Sequence, residues 1–185
     1  PVVGIVSQII GSKRIDLFLK AARLVLRQLP KTRFLIVGGE VPEERGLMDR
    51  LREMARALEI EKNVVFTGFQ DDVYAYLSLM DVFAFFSERE AFGRAVAEAM
   101  MARLPVVSAA TGGIPEVIDD GISGFLFQTG DYSAASERIL FLLRSPEARV
   151  QMGDAGLAKA VQSFERRKTA RRIHGLYRDV LGLTG

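Results

Sequence analysis

The chain has no cysteine, which excludes disulfides and thiolate metal sites and leaves the redox compartment open. It has a single histidine, His174, so no cluster of imidazoles can form. No apolar run approaches the roughly 18 residues that a membrane-spanning helix requires, and the N-terminus enters a strand-like segment directly, without a charged signal region. The domain is therefore expected to be soluble and cytoplasmic, with peripheral membrane attachment of a longer parent protein left open. The start at Pro1-Val2-Val3 carries no initiator methionine, as expected of a fragment cut at a domain boundary. Charge of one sign is also scarce, since 25 bases face 23 acids for a net charge of +2. The excess sits in the tail: from Phe164 onward six bases meet two acids, so the remainder is slightly acidic. That asymmetry fits a basic helix that approaches a phosphate-rich surface, and equally a solvated outer face. It is no broad nucleic-acid footprint.

A chain of 185 residues that is 49% hydrophobic is long enough to bury roughly 70% of the surface its unfolded form exposes. Short apolar runs at Val2 to Val6, Phe34 to Val37, Val64 to Phe66, Val82 to Phe86, Val106 to Val107 and Gly124 to Phe127 read as buried strands. Between them, Ile15 to Gln28, Glu43 to Leu58, Asp71 to Leu79 and Arg94 to Ala102 read as crossover helices. The chain then turns wholly helical, with segments Ser133 to Leu143, Pro146 to Gln162 and Glu165 to Leu181. In the last of these Ile173, Leu176, Tyr177, Val180 and Leu181 share one face, which needs a surface to pack on. With no repeat, low-complexity tract or linker, the economical fold over residues 1–185 is a single α/β domain, a doubly wound Rossmann-like parallel sheet flanked by helices. Ligands of such sheets sit beyond the carboxyl ends of the strands, where loops enter helix N-termini.

The stretch Ser87-Glu88-Arg89-Glu90-Ala91-Phe92-Gly93-Arg94-Ala95-Val96-Ala97-Glu98-Ala99-Met100 lies in such a place. Glu90 and Glu98 are separated by seven residues. A helix opening near Phe92-Gly93 puts Glu98 almost two turns in, among apolar neighbours, with Glu90 on the preceding loop. A shielded carboxylate needs partners. Two carboxylates around a helix N-terminus suit a ligand with hydroxyls at both ends and a diphosphate between them, which describes a nucleotide sugar. The plainer alternative is that Glu90 caps the helix and Glu98 pairs with Arg94, one turn away.

These two glutamates are followed by Ala99-Met100, Leu104-Pro105-Val106-Val107-Ser108 and Thr111-Gly112-Gly113-Ile114-Pro115-Glu116-Val117-Ile118. Together the motifs resemble the C-terminal, donor-binding domain of group 1 glycosyltransferases, a large retaining GT-B family. The resemblance covers nearly the whole chain, including Gly4 to Asp16, Phe34 to Gly39, Val65-Phe66-Thr67-Gly68-Phe69, Asp119 to Leu126 and the closing Tyr177 to Leu181.

The resemblance implies a role for each matching position. Glu90 contacts hydroxyls of the donor sugar, with the amides of Phe92 and Gly93 bordering the same pocket. Glu98 binds the ribose hydroxyls, Lys13 the donor diphosphate, and Phe69 lies where the nucleobase lodges. One departure matters: family members commonly carry an arginine five residues before the lysine, and here that position is Gln8. A neutral amide cannot replace the charge. Arg94 at the helix start is the candidate to supply it, an outward arginine paired with Glu90 or Glu98 being the alternative.

The other candidates carry less. Gly38-Gly39-Glu40 lacks the G-x-G-x-x-G spacing of redox dinucleotide sites. Asp71-Asp72 and Asp119-Asp120 sit at turns or helix starts, so no metal site is expected, in keeping with the metal-independent chemistry of GT-B enzymes. His174 reads as a surface or packing residue, and Gly112-Gly113 as a tight turn first and a close backbone approach to ligand second.

The implied reaction is transfer of a sugar from a UDP-, GDP- or ADP-sugar to an acceptor hydroxyl with retained configuration, and no cofactor. Lys13, Arg94 and helix-terminal amides stabilise the diphosphate leaving group while Glu90 orients the sugar. The acceptor, a glycan, lipid or small molecule, would be held by an N-terminal Rossmann-like domain outside this chain, so the isolated domain is expected to be inactive. The competing readings are a non-catalytic nucleotide-binding or interaction module and a GT-B-like sugar-nucleotide epimerase.

Overall fold

Branched and aromatic residues dominate the short apolar runs, and in the computed structural model, which describes residues 1–164, 174, 175, 177, 178, 180 and 181, they form six strands. These are β1 (Val2–Val6), β2 (Arg33–Val37), β3 (Val64–Gly68), β4 (Val82–Phe85), β5 (Val106–Ala109) and β6 (Phe125–Phe127). Every neighbouring pair is parallel, in the order β3-β2-β1-β4-β5-β6. The helices are α1 (Ile15–Leu26), α2 (Leu47–Ala57), α3 (Val73–Leu77), α4 (Arg94–Met101), α5 (Ile114–Val117), α6 (Tyr132–Arg144) and α7 (Pro146–Phe164).

Because strand side chains alternate between faces, a sheet covered on both sides must be apolar at every position. β4 shows this directly. Val82 and Ala84 join the core beneath α1, α2 and α6, whereas Phe83 and Phe85 join the core beneath α4 and α7. Phe34 and Ile36 of β2 point to the first layer, Leu35 and Val37 to the second. Phe18 of α1 is fully buried and meets Phe34 and Phe86 edge to face at 5.7 and 5.9 Å, which ties α1 to the sheet directly above the first loop.

Several element ends move from their expected places. α2 begins at Leu47 because Pro42–Glu44 forms a separate 3-10 turn and Gly46, at φ 86, starts the helix. α3 is cut to Val73–Leu77, with the Asp72 carboxylate accepting the Ala75 N–H. β3 and β5 run two residues longer than their apolar cores, through polar Thr67 and Ser108. The one-turn helix α5 was not foreseen. The closing amphipathic segment Glu165 to Leu181 falls largely outside the described residues, as do Ile173 and Leu176 of its apolar face and most of its bases; His174, which is described, is exposed.

Candidate functional site

The order of the strands reverses between β1 and β4, so α1 and α4, which follow them, pack on opposite faces of the sheet and leave a crevice at the carboxyl edge. The loop after β1 forms a 3-10 turn, Gly11–Lys13, and enters α1 through Arg14. The loop after β4 runs from Phe86 to Gly93, where Gly93, at φ 86, starts α4. α4 begins at Arg94, as the helical segment Arg94 to Ala102 had it, and Glu98 lies just over one turn in, not the almost two that a start near Phe92 would give.

The two loops are laced together. The Glu88 N–H donates to the Ser12 carbonyl at 2.8 Å. The Lys13 ammonium donates to Glu90 Oε2 at 2.7 Å, with only 19% and 17% of the two side chains exposed. Lys13 also lies 5.4 Å from the centre of the Phe85 ring. Glu90 Oε1 accepts the Gly93 N–H at 3.1 Å, so the capping-type contact of the plainer reading is present. Burial pushes the Glu90 carboxyl up, but the hydrogen bond and charge of Lys13, with the Gly93 and Phe92 amides, outweigh it and hold the group below the usual glutamate range. Glu90 is thus an ion at neutral pH. The Phe92 and Gly93 amides, expected to border the sugar pocket, face that carboxylate; Phe92 itself is 44% exposed and Gly93 is buried.

A third loop supports the second. The Thr111 hydroxyl donates to the Glu88 carbonyl at 2.7 Å, and the Gly113 N–H donates to the Glu90 carbonyl at 3.2 Å. Gly112 takes φ 51, and a Cβ there would stand 1.7 Å from the Glu90 carbonyl oxygen. Only glycine allows this approach. The structural reading of Gly112-Gly113 is thus the one that the contacts explain.

Where β1, β2 and β3 end against α4 opens a cavity of about 480 Å³, within the range of small-molecule sites. Its walls bring together Gln8, Phe69, Arg94 and Glu98, four of the expected site residues from two different loops and α4. Lys13, Glu90, Phe92 and Gly93 do not line it. Glu98 is half-buried, and neither its carboxylate nor the Arg94 guanidinium forms an ion pair with any described residue. The expected alternative of a Glu98–Arg94 pair is therefore not formed. Phe69 is 75% exposed, a flat apolar face at the cavity wall.

Ser7 and Gln70, which the sequence did not single out, also line the wall, as do Gly38, Gly39 and Glu40. Gly38-Gly39 was weighed only against a redox fingerprint. Its use is steric: at φ 144 a Cβ on Gly38 would lie 1.8 Å from the Ser7 carbonyl oxygen, so the β1 and β2 loops close onto each other only through glycine. The pattern of small residues at the end of a buried strand was the available signal. Glu40 accepts the Met48 N–H at 3.0 Å, and the amides of Met48, Gly46 and Leu47 lower its carboxyl below the usual range.

The paired aspartates have structural partners. Asp119 meets Lys159 at 2.6 Å, and Asp120 accepts the Leu126 N–H at 2.8 Å. Among the described residues, no three His, Asp or Glu side chains converge as a metal site, and no helix is long and apolar enough to cross a membrane.

The model of the family described as glycosyl transferases group 1 matches residues 1–159. The chain is 32% identical over 147 residues to N-acetyl-alpha-D-glucosaminyl L-malate synthase of Bacillus anthracis, covering 80% of this chain and 38% of that protein. It is 33% identical over 188 residues to D-inositol 3-phosphate glycosyltransferase of Mycobacterium bovis, covering 98% of this chain and again 38% of the relative. It thus spans well under half the length of these relatives. Among solved structures, the Anabaena protein HepE in complex with UDP and glucose superposes with a TM-score of 0.90 at 26% identity, over 96% of this chain and 48% of that one. The C-terminal domain of a group 1 family glycosyl transferase from Francisella tularensis shares the fold, with a TM-score of 0.83 at 21% identity over 89% of this chain and 86% of that one. A six-stranded parallel sheet built around this crevice, matched along most of its length by the family model, shows that the chain belongs to the group 1 glycosyltransferases, with the fold of the C-terminal domain of a GT-B enzyme.

Proposed function

We propose that this chain is the donor-binding domain of a retaining glycosyltransferase, moving a sugar from a nucleotide sugar to an acceptor hydroxyl held by a second domain of a longer polypeptide. The observation that carries the reading is the cavity at the carboxyl ends of the strands, whose wall Glu98 and Arg94 share, with Lys13 paired to Glu90 on the loop that leads into α4. Similarity to a protein solved with UDP and glucose supports the ligand class.

In this reading Glu98 accepts both ribose hydroxyls, Phe69 flanks the base, and Arg94 and Lys13 face the diphosphate. As the bond from the sugar to phosphate breaks, negative charge grows on the diphosphate, and the two cations with the α4 N-terminus stabilise it. Glu90 has one oxygen on Lys13 and one on the Gly93 amide, so it positions sugar and phosphate as one unit. It is no nucleophile in this scheme. The acceptor attacks from the face the phosphate leaves, which retains the anomeric configuration.

The test is transfer by the full-length protein. Activity is expected with chelator present, with retained configuration in the product, and with a steep fall for Glu90→Ala; the 185-residue chain alone is expected to transfer nothing, since nothing in it holds the acceptor in attack geometry. Inverted product, or strict dependence on a divalent ion, would refute the chemistry. A full-length protein that binds a donor and never transfers it would favour a binding module instead.

A further inference from the structure

We infer that Arg14 is a positioning residue of the donor site: its guanidinium clamps the loop after β1 to the loop after β4 and so sets the separation of Lys13 and Glu90. The inference rests on the donor-binding reading above and adds a residue to which that reading gives no role.

The backbone gives the first observation. Arg14 has φ 49 and ψ 45, in the left-handed region, one residue after Lys13. A long side chain rarely adopts this conformation, whereas glycine does so without strain. A glycine here would satisfy the turn from the 3-10 segment into α1 but could contribute no side-chain contact.

The side chain gives the second. Arg14 Nε donates to Asp16 Oδ1 at 2.9 Å and Nη2 to Asp16 Oδ2 at 3.0 Å, the parallel fork that a guanidinium makes with a carboxylate. Its remaining nitrogen, Nη1, donates to the Glu88 carboxylate across the crevice. Asp16 belongs to the first turn of α1, so the fork fixes the guanidinium to a rigid element, and the third contact then fixes Glu88. Glu88 is further held through its own N–H on the Ser12 carbonyl, and its carbonyl accepts the Thr111 hydroxyl. Glu90 follows two residues later. One planar group thus joins the neighbour of Lys13 to the segment that presents Glu90.

The third observation is a separation of roles. Each of the three guanidinium nitrogens of Arg14 already donates to Asp16 or Glu88, so its action on the ligand runs through Lys13 and Glu90. Its charge is offset by two carboxylates, which leaves geometry as its contribution. Lysine cannot reproduce it, because a single ammonium lacks the planar fork needed to hold Asp16 and Glu88 together.

The experiment uses the 185-residue chain with Arg14→Gly, Arg14→Lys and Glu88→Gln, titrated calorimetrically with UDP, GDP, ADP and the matching nucleosides. Melting temperatures are recorded in parallel. Arg14→Gly relieves the strained backbone while removing the clamp, so its Tm is expected within about 4 °C of wild type. Affinity for the best-bound nucleoside diphosphate is expected to fall about tenfold or more, with nucleoside affinity unchanged. The loss persists at about 0.5 M salt, where a through-space charge effect is screened. Arg14→Lys fails to restore binding, Glu88→Gln loses it in the same direction, and the double variant adds little to either alone. The inference is overturned if Arg14→Gly binds diphosphates like wild type, if nucleosides and diphosphates weaken equally alongside a large fall in Tm, or if lysine restores full affinity. A wild-type chain that binds none of the three diphosphates overturns the donor-binding reading and this inference with it.

Discussion

Replacing Glu90 by alanine removes one carboxylate that serves two elements, because Oε2 takes the Lys13 ammonium and Oε1 the Gly93 amide at the start of α4. Each is a charge-assisted hydrogen bond, worth about 1.5–3 kcal/mol. With 17% of Glu90 and 19% of Lys13 exposed, water replaces the lost partner only in part. The two bonds share one carboxylate, so their sum is discounted to about 2–4 kcal/mol. In a domain of this size that corresponds to a fall in Tm of about 5–15 °C at pH 7. The pH dependence has a definite sign. Lys13 and the two amides hold the folded carboxyl below its ordinary value, so the unfolded chain takes up the proton first on acidification. The contribution is therefore complete above the unfolded value of about 4.3 and is lost as pH falls through the lowered folded value. Thermal unfolding of wild type and Glu90→Ala from pH 3 to 8 reads this out. Equal melting temperatures at pH 7, or a difference that widens on acidification, would refute the assignment.

Two further expectations concern the loops. Gly112→Ala places a Cβ 1.7 Å from the Glu90 carbonyl oxygen at φ 51, so denaturant titration should show a loss of at least about 3 kcal/mol or a displaced Glu90 loop with weakened nucleotide binding; an unaffected variant would mean that the close approach is not maintained in solution. Lys13→Ala and Arg94→Ala should each weaken nucleoside diphosphates far more than nucleosides, as calorimetry with both ligand types will show, and an Arg94→Ala effect on both alike would end the idea that Arg94 supplies the charge missing at Gln8.

The layers of the fold were legible because the strands are apolar on both faces, as in Phe83 and Ala84 of β4, and no other arrangement shelters such runs. Boundaries were less so. Gly46 starts α2 through positive φ, a backbone choice that side-chain periodicity does not report. α5 is a single turn, Ile114–Val117, too short to show a period, and its Ile114-Pro115 reads as a turn. At the site, Gln8, Phe69 and Arg94 were named through the family resemblance and Glu98 through its spacing from Glu90 as well, and the fold brings all four to one cavity wall where three strands end. The Lys13–Glu90 contact joins positions 77 residues apart, and spacing along the chain carries no information about it. Gln70 was not legible for the same reason, since it reaches the cavity only when the β2 and β3 loops fold toward each other. The Gly38-Gly39 pair was visible, but its purpose appears only once the Ser7 carbonyl lies against it.

The central claim is that the crevice holds a nucleoside diphosphate with Glu98 on its ribose, and calorimetric titration of UDP, GDP and ADP into the wild-type chain and Glu98→Gln tests it most directly. The account predicts that at least one diphosphate binds the wild type, and that Glu98→Gln weakens every one that does by about 1.5–3 kcal/mol, with Tm little changed. Unchanged affinity of Glu98→Gln for the diphosphate that the wild type binds best would contradict it and remove Glu98 from the site.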